Sequence, residues 1–489
     1  MKKQKKLGLF SSVAVCVGLI VATSCLVSLG TGMGSIGRWF IIPLFAVMIL
    51  NAFIAISFSE LHSLMPGVDG GTGQYILAGL GPVPSVIGNI AAYYVTMALS
   101  ATGEIAMSGM VLSQLFFPNV DYRIISSIIL IIFFVVNYFG LEAYSTVQNI
   151  VVVLLIGSMV VLGILGVTKS GNGTVVDYAA TAPSFSDIGG VSGVFGMAAV
   201  AFWLYIGVEF VIPVAKDMKN PKRDVLLSMV LGLVLLFVVQ AVLGWAMTNY
   251  VDLGTLANDP NGTPHMTFAY NLLGNVGRYW MGGITILAAV STMNTVFSST
   301  SRIMQGMGES GMLPKVFTKT NKHGAAVSGL ILMGVSVLIM LLTNFAATNG
   351  ITFIILSASC FWLTTYCMIH ISVLRLRKKY PDHPRKKWLT LAGVPQILGI
   401  LGNIYMIWHI ESGATRLKIY AIFGIILVVL TVYAFVWVCG VLKAKPFQTI
   451  SVETINKALS FEESLAEEAK LREERKLQTE TLQVKVKAE

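Results

Sequence analysis

Apolar runs of about 20 residues recur along the whole chain, separated by short polar segments. A helix of about 20 residues crosses the roughly 30 Å of hydrocarbon in a bilayer. Because lipid offers no hydrogen bonds, a crossing segment must pair its own backbone groups, as a helix does. The pattern predicts an all-α integral membrane protein with twelve transmembrane helices, at residues 9–31, 39–62, 83–116, 122–140, 144–168, 190–216, 224–250, 277–306, 326–345, 350–374, 388–410 and 415–443.

Lysine and arginine concentrate on every second loop, at residues 2–6, 216–223, 302–322, 375–387 and 443–445. The alternate loops hold far fewer basic residues: Arg38, Arg123, Lys169, Arg278, Arg416 and Lys418. Since cytoplasmic loops of membrane proteins carry the excess of positive charge, the N-terminus is predicted to be cytoplasmic. An even number of spans places the C-terminus there too, in a multi-pass protein of the plasma membrane.

The composition agrees with a chain that is surrounded by lipid rather than by water. Hydrophobic residues make up 55% of the chain and charged residues 12%, against about 25% charged in soluble proteins. The net charge of +10 comes from loop clusters, so nucleic acid is excluded as a partner. The cysteines lie in apolar segments without metal-ligand spacing, and no nucleophile or phosphate-loop motif stands out. We therefore expect no enzyme activity, no cofactor and no metal site.

The chain divides by composition into three parts. Residues 1–8 form a basic cytoplasmic N-terminus, residues 9–443 the transmembrane domain, and residues 444–489 a charged cytoplasmic tail. Within the tail, residues 461–476 place acids before bases at helical spacing, which is typical of a solvated helix. A frayed segment and a regulatory or partner-binding element are the alternatives.

Two predicted spans carry residues that weaken a helix. The first contains Thr23 and Ser24, whose hydroxyls compete for backbone groups, and the sixth contains Gly207 and Pro213. Such residues also serve as packing positions and kinks in membrane helices. These spans, however, occupy corresponding positions in two five-span halves, and paired interruptions of this kind indicate a transporter's midplane site. Two broken helices could hold a molecule with both a carboxylate and an ammonium group.

Two carboxylates fall inside predicted spans, Glu104 in the third and Glu209 in the sixth. A charge within the bilayer is costly and marks a functional site by default. The alternative for each is a protonated or hydrogen-bonded structural group. Glu60, at the inner end of the second span, is interpreted as interfacial.

Several motifs make the chain resemble the amino acid–polyamine–organocation permeases over about residues 10–440. The second span ends in Phe58-Ser59-Glu60-Leu61, and Met65-Pro66, Gly70-Gly71, Tyr75 and Gly81-Pro82 follow. The sixth span reads IGVEF at 206–210, with KNPKRD at 219–224 after it. Two further matches are MGESGMLP at 307–314 and HISVLRLRKKYP at 370–381.

The resemblance implies a LeuT-like fold, in which helices 1–5 and 6–10 form an inverted repeat and helices 1 and 6 are broken. Here the repeats would cover about residues 9–168 and 190–374, with two extra helices at about 388–443. It also implies binding roles for particular positions. Backbone N–H groups of helix 1 would meet a carboxylate, carbonyls of helix 6 would meet an amine, and Trp203 would cap the substrate. The substrate-binding residues expected on this basis are Ala22, Thr23, Ser24, Met97, Ala101, Glu104, Trp203, Ile206, Gly207 and Glu209.

The sequence departs from the family pattern at two places. Ala22-Thr23-Ser24 stands where the family has Gly-Ser-Gly, so the backbone has less room but gains two hydroxyls. Some proton-coupled relatives carry a lysine in helix 5, whereas residues 145–163 contain none and Leu155 occupies the matching place. A proton site on a helix-5 lysine is therefore not expected.

The predicted function is a secondary active transporter that moves a neutral or cationic amino acid by alternating access, coupled to protons. Glu209 would couple protons or gate the inner side. Glu104 would face the substrate's side chain, excluding acidic substrates, or would brace the site. An antiporter that exchanges an amino acid for an amine or polyamine is the alternative of the same fold. A non-transporting membrane sensor or scaffold is the alternative of another class.

Overall fold

The computed structural model describes residues 6–66, 68, 72–139, 144–346, 350–385, 391–457, 459–460 and 463–474. Within these ranges the chain is helical, and its extended contacts are two isolated bridges, Leu7 with Met218 and Thr320 with Ala326. The prediction of an all-α protein is thus confirmed for the described part of the chain. Parts of our sequence interpretation fall on Lys2, Lys3, Lys5, Gly70, Gly71, Lys386, Lys387, the side chain of Pro213 and residues 475–489, which lie outside the described residues.

The helices follow one another in an order that matches the predicted segments. They are α1 Leu9–Ile20, α2 Thr23–Ile36, α3 Ile41–Leu64, α4 Thr72–Leu80, α5 Pro82–Ile90, α6 Met97–Phe116, α7 Tyr122–Tyr138, α8 Tyr144–Val167, α9 Tyr178–Thr181, α10 Gly190–Gly196, α11 Ala198–Trp203, α12 Pro221–Tyr250, α13 Leu253–Ala257, α14 Pro264–Leu273, α15 Asn275–Glu309, α16 Val327–Leu342, α17 Ile351–Lys379, α18 Val394–Trp408, α19 Gly413–Phe435 and α20 Val452–Ile455. Tighter or wider turns extend several of them, at Gly37–Phe40, Ala91–Thr96, Val208–Asp217, Lys315–Thr318, Leu391–Gly393 and Val436–Val441.

Nine helices of the described residues are long and apolar enough to cross a membrane. Three shorter apolar helices, Leu9–Gly18, Tyr122–Tyr138 and Val327–Leu342, fall on predicted spans as well. One of the nine, Thr23–Leu64, joins the second half of the predicted first span to the second span. The chain is therefore a multi-pass membrane protein by helix length and composition, while the count of twelve spans stays a prediction.

Exposed apolar side chains repeat at helical spacing on the peripheral helices. On α7 they include Ile124, Ile128 and Ile131, and on α19 they include Ile425 and Val428. Such stripes would be unfavourable against water, whereas a lipid chain is as apolar as they are. The interior, by contrast, is close-packed around α17, which contacts α3, α4, α6, α11 and α18. The lipid-facing helices thus surround a core that contains both interrupted segments.

The tail folds back onto the membrane domain. The backbone N–H of Val83 donates to the Pro446 carbonyl over 3.0 Å, and Asn456 donates to the Leu64 carbonyl over 3.3 Å. Residues 463–474 are helical, as the charge pattern predicted, and Glu468 is buried against Ser451. This part of the tail is consequently a docked element rather than a fully solvated helix.

Candidate functional site

The first interruption lies between α1, which ends at Ile20, and α2, which begins at Thr23. Val21 and Ala22 adopt extended conformations there, with ψ of 96° and 162°. The break leaves the last carbonyls of α1 and the first amides of α2 without helical partners. Cys25 satisfies one of these carbonyls, since its thiol contacts the Ile20 oxygen at 3.4 Å.

The carboxylate of Glu104 caps the start of α2. Its Oε2 accepts the Thr23 N–H over 2.9 Å, and its Oε1 accepts the Ser24 N–H over 2.8 Å. All three residues are buried, with Glu104 0% exposed. The positive end of the α2 dipole favours an anion at this place. Glu104, which was expected to face the substrate's side chain or to brace the site, therefore binds the amides that the family resemblance assigns to a substrate carboxylate.

The second interruption follows α11, which ends at Trp203. Gly207 has a φ of +103°, a conformation that a side chain would strain, and the tight turns of Val208–Asp217 begin just after it. Side chains satisfy carbonyls that the break exposes. The Gln240 amide donates to the Leu204 oxygen over 3.1 Å, and the Cys25 thiol contacts the Trp203 oxygen at 3.7 Å.

Glu209 lies one turn beyond this break and is 4% exposed. Its Oε2 accepts the Tyr366 hydroxyl of α17 over 2.7 Å. The rings of Tyr366 and Phe202 meet edge to face with centroids 5.9 Å apart, so α17 supports both sides of the interruption. Glu209 thus joins the unwound segment to the central helix of the core.

A cavity lies between the two interruptions, with about 50 Å³ of space that the centre of a water molecule can occupy. Every side chain that lines it is uncharged, so a ligand would meet hydroxyls, aromatic rings and backbone groups. Thr292 Oγ1 is buried and has no hydrogen-bond partner among the described residues. The lining residues are Ile20, Ala22, Cys25, Thr96, Met97, Ser100, Trp203, Ile206, Gly207, Phe210, Thr292, Thr295, Val296, Ser299, Thr300 and Trp362.

Half of the residues expected from the sequence line this cavity: Ala22, Met97, Trp203, Ile206 and Gly207. The others, Thr23, Ser24, Ala101, Glu104 and Glu209, are buried but do not line it. Sequence reasoning missed the polar face of α15, although Thr292, Thr295, Ser299 and Thr300 recur at helical spacing within an apolar span. Among the described residues, no group of three metal-ligating side chains could hold an ion.

Comparison with known proteins supports a family assignment. The model of the amino acid permease family matches residues 7–452. A histidine permease, HisP, of Lactococcus lactis subsp. cremoris (strain MG1363) is 24% identical over 411 residues, covering 78% of this chain and 84% of that protein. A branched-chain amino acid permease, BcaP, of Bacillus subtilis (strain 168) is 25% identical over 421 residues, covering 81% and 86%.

A solved structure resembles the fold at low sequence identity. It is the crystal structure of the Eremococcus coleocola manganese transporter in complex with an aromatic bis-isothiourea substituted compound. The TM-score is 0.58 at 13% identity, with coverage of 88% of this chain and 94% of that one. The family match over residues 7–452 confirms the resemblance seen in the motifs. The chain belongs to the amino acid permease family, whose curated relatives are named as permeases.

Proposed function

We propose that this protein is a secondary active transporter that carries a neutral or cationic amino acid across the plasma membrane by alternating access, coupled to protons. The observation that carries the proposal is the uncharged cavity between two interrupted helices. Broken helices place backbone N–H and C=O groups beside a ligand, and both ends of a zwitterion need such groups. Twelve spans, with helices 1–5 and 6–10 as inverted LeuT-like repeats and both termini cytoplasmic, complete the proposal.

The cavity wall supports the substrate class. Trp203, Phe210 and Trp362 offer aromatic faces to an aliphatic or cationic group, and no lining side chain carries positive charge. A second carboxylate on the ligand would be desolvated there without a partner, which is expensive. Relatives named for histidine and branched-chain amino acids agree with a neutral or weakly basic substrate. Acidic amino acids should therefore be excluded.

Uptake into proteoliposomes tests the proposal. The purified protein should accumulate a labelled neutral or cationic amino acid when the outside is acidic, and should not accumulate glutamate. Uptake that instead requires amino acid or amine preloaded inside would identify an exchanger. No uptake of any amino acid under either condition would contradict the transporter assignment and favour a sensor or scaffold.

A further inference from the structure

We propose that Glu104 is an internal competitor for the substrate's carboxylate, and that it leaves the amides of α2 as a protonated acid each time an amino acid binds. The inference rests on the proposed function, and it names Glu104 as the group that couples transport to protons. Its starting point is that Thr23 and Ser24 each donate a backbone N–H to a different oxygen of Glu104, over 2.9 and 2.8 Å. A bound amino acid would present the same two-oxygen group.

The first three amides of α2 are already engaged. Thr23 and Ser24 are the first two residues of the helix, and both amides are used by Glu104. The next amide, that of Cys25, already donates to the Ala22 carbonyl over 3.1 Å. A ligand carboxylate can therefore bind the first two amides of α2, at the favourable end of the helix dipole, only if Glu104 moves away.

The cavity adjoins this helix start and contains an unused donor. Ala22 and Cys25 line it, on either side of the two amides that Glu104 occupies. Thr292 faces the same space from α15, is 6% exposed, and its hydroxyl has no partner among the described residues. A hydroxyl buried without a partner costs free energy, which a ligand oxygen would recover. The cavity is thus equipped for a carboxylate that the present position of Glu104 keeps out.

Protonation is what makes the exchange possible. As an anion, Glu104 would have to give up two charge-assisted hydrogen bonds inside the membrane and sit beside a second carboxylate of like charge. As a neutral acid it carries no charge to desolvate or to repel the ligand. The proton comes from the aqueous side and is bound by the Glu104 oxygen, while the substrate supplies the anion that the two amides hold. One proton therefore enters the complex with each amino acid.

Among the described groups around the start of α2, Glu104 is the one that we expect to bind the proton. Its helix α6 packs against α2, α7, α15, α16, α17 and Ala91–Thr96. Of the described residues, the titratable group that interacts electrostatically with its carboxylate is the Cys25 thiol on α2. Several other titratable groups of these elements bond elsewhere: Tyr93 with Thr72, Tyr94 with Ser336, Arg123 with Asp121, Arg278 with the Gln114 carbonyl, Tyr366 with Glu209 and His370 with Ser57.

Proton uptake on ligand binding tests the proposal directly. The purified protein, in weakly buffered solution with a pH-indicator dye, is titrated with the neutral amino acid that shows the fastest proteoliposome uptake. We expect one proton taken up for each amino acid bound. The apparent affinity should fall about tenfold for each pH unit over the range where free Glu104 is ionised. The amine with the same side chain and no carboxylate should bind without proton uptake, because it leaves Glu104 in place.

Two glutamate-to-glutamine variants separate Glu104 from a buried acid outside the cavity, Glu468 of the tail. Glu104→Gln should bind the amino acid without proton uptake, independently of pH, and about tenfold or more tightly than wild type at alkaline pH. Glu468→Gln should still take up one proton, because Glu468 lies in the tail and does not line the cavity. Binding by wild type without proton uptake overturns the proposal even if neither variant folds. Proton uptake that persists in Glu104→Gln, or an amine that binds wild type more tightly than its amino acid, overturns it too. A wild type that binds no amino acid at any pH contradicts the proposed function instead.

Discussion

The indole Nε1 of Trp203 donates a hydrogen bond to the hydroxyl oxygen of Ser24 over 2.8 Å. Trp203 is the last residue of α11 and Ser24 the second residue of α2, so this bond joins the two interruptions directly. Trp203 also lines the cavity, whereas Ser24 does not. The side chain that would touch a ligand is thus oriented by the helix start that would hold the ligand's carboxylate.

Trp203→Phe keeps an aromatic ring and removes the donor. We expect the affinity for the transported amino acid to fall about three- to tenfold, because a buried hydrogen bond contributes about 1 kcal/mol. Ser24→Ala should give a similar loss, and the double variant should lose less than the two losses added, measured as binding constants. Trp280→Phe is the control. The Trp280 Nε1 donates to the Ser158 hydroxyl over 3.1 Å, and neither residue lines the cavity, so the affinity should be unchanged.

Gly207→Leu should abolish uptake while the protein still folds. A Cβ at Gly207 would lie 3.1 Å from a Phe210 ring carbon, and the φ of +103° strains any side chain by about 1–3 kcal/mol. The larger part of the effect is the side chain's intrusion into the cavity. Gly424→Leu is the control, because nothing lies within 4 Å of the Cβ position there. Normal uptake by well-folded Gly207→Leu would place the ligand elsewhere.

Thr292→Val removes the hydroxyl that faces the cavity without a partner. Since no internal hydrogen bond is lost, thermal stability should be kept or improved while ligand affinity falls about three- to tenfold. The matched change on the same helix is Thr285→Val, whose hydroxyl donates to the Met281 carbonyl and does not line the cavity. Equal affinity in Thr292→Val and wild type would show that the ligand does not use this face of α15.

Glu60→Ala should destabilise the protein by about 3 kcal/mol, because it leaves two partly buried guanidinium groups without their carboxylate. Arg377 and Arg385 contact Glu60 at 2.6 and 2.8 Å, and the Glu60 side chain is 9% exposed. Denaturation of purified protein measures the change. Arg123→Ala serves as the control, since it breaks the exposed Asp121–Arg123 pair, which should contribute little, and keeps Asp121 as the cap of α7. Equal stability of the two variants would contradict this account.

Glu468 should hold the tail in its docked position. Burial raises the pKa of this carboxyl, but hydrogen bonds from Ser451 and Thr454 outweigh burial, and the pKa lies below its ordinary value. Because the pKa is depressed in the folded state, the ionised Glu468 carboxylate stabilises the docked tail fully above the ordinary pKa of about 4.3. This stabilisation is lost as pH falls through the depressed pKa.

Glu468→Gln should therefore speed amide hydrogen exchange in residues 451–474 at neutral pH, where the wild-type carboxylate is ionised. Glu467→Gln, next in the chain, breaks only the exposed contact with Lys457 and should leave that exchange rate unchanged. Wild-type exchange in Glu468→Gln would mean that apolar contacts alone dock the tail.

Local pattern alone determined the helices and the places where they break. Lipid forces each apolar run to satisfy its own backbone, so each run could only be helical. Gly207 and the Thr23-Ser24 pair favour interruption through their own backbone preferences, which act within a few residues. The motifs around these positions also lie within short stretches of sequence. They were sufficient to indicate the family, which the match over residues 7–452 then established.

Only the tertiary structure decided which groups meet at those breaks. According to the sequence, Glu104 could face the substrate or brace the site against neighbouring helices, and its partners lie 80 and 81 residues away. The hydroxyls of α15 form a face whose direction depends on how that helix is rotated against α6. The tail looked solvated because its charges follow a surface pattern, yet Glu468 is buried by contacts across the chain. Helix rotation and docking are set by packing between distant segments, and no periodicity within one segment contains that information.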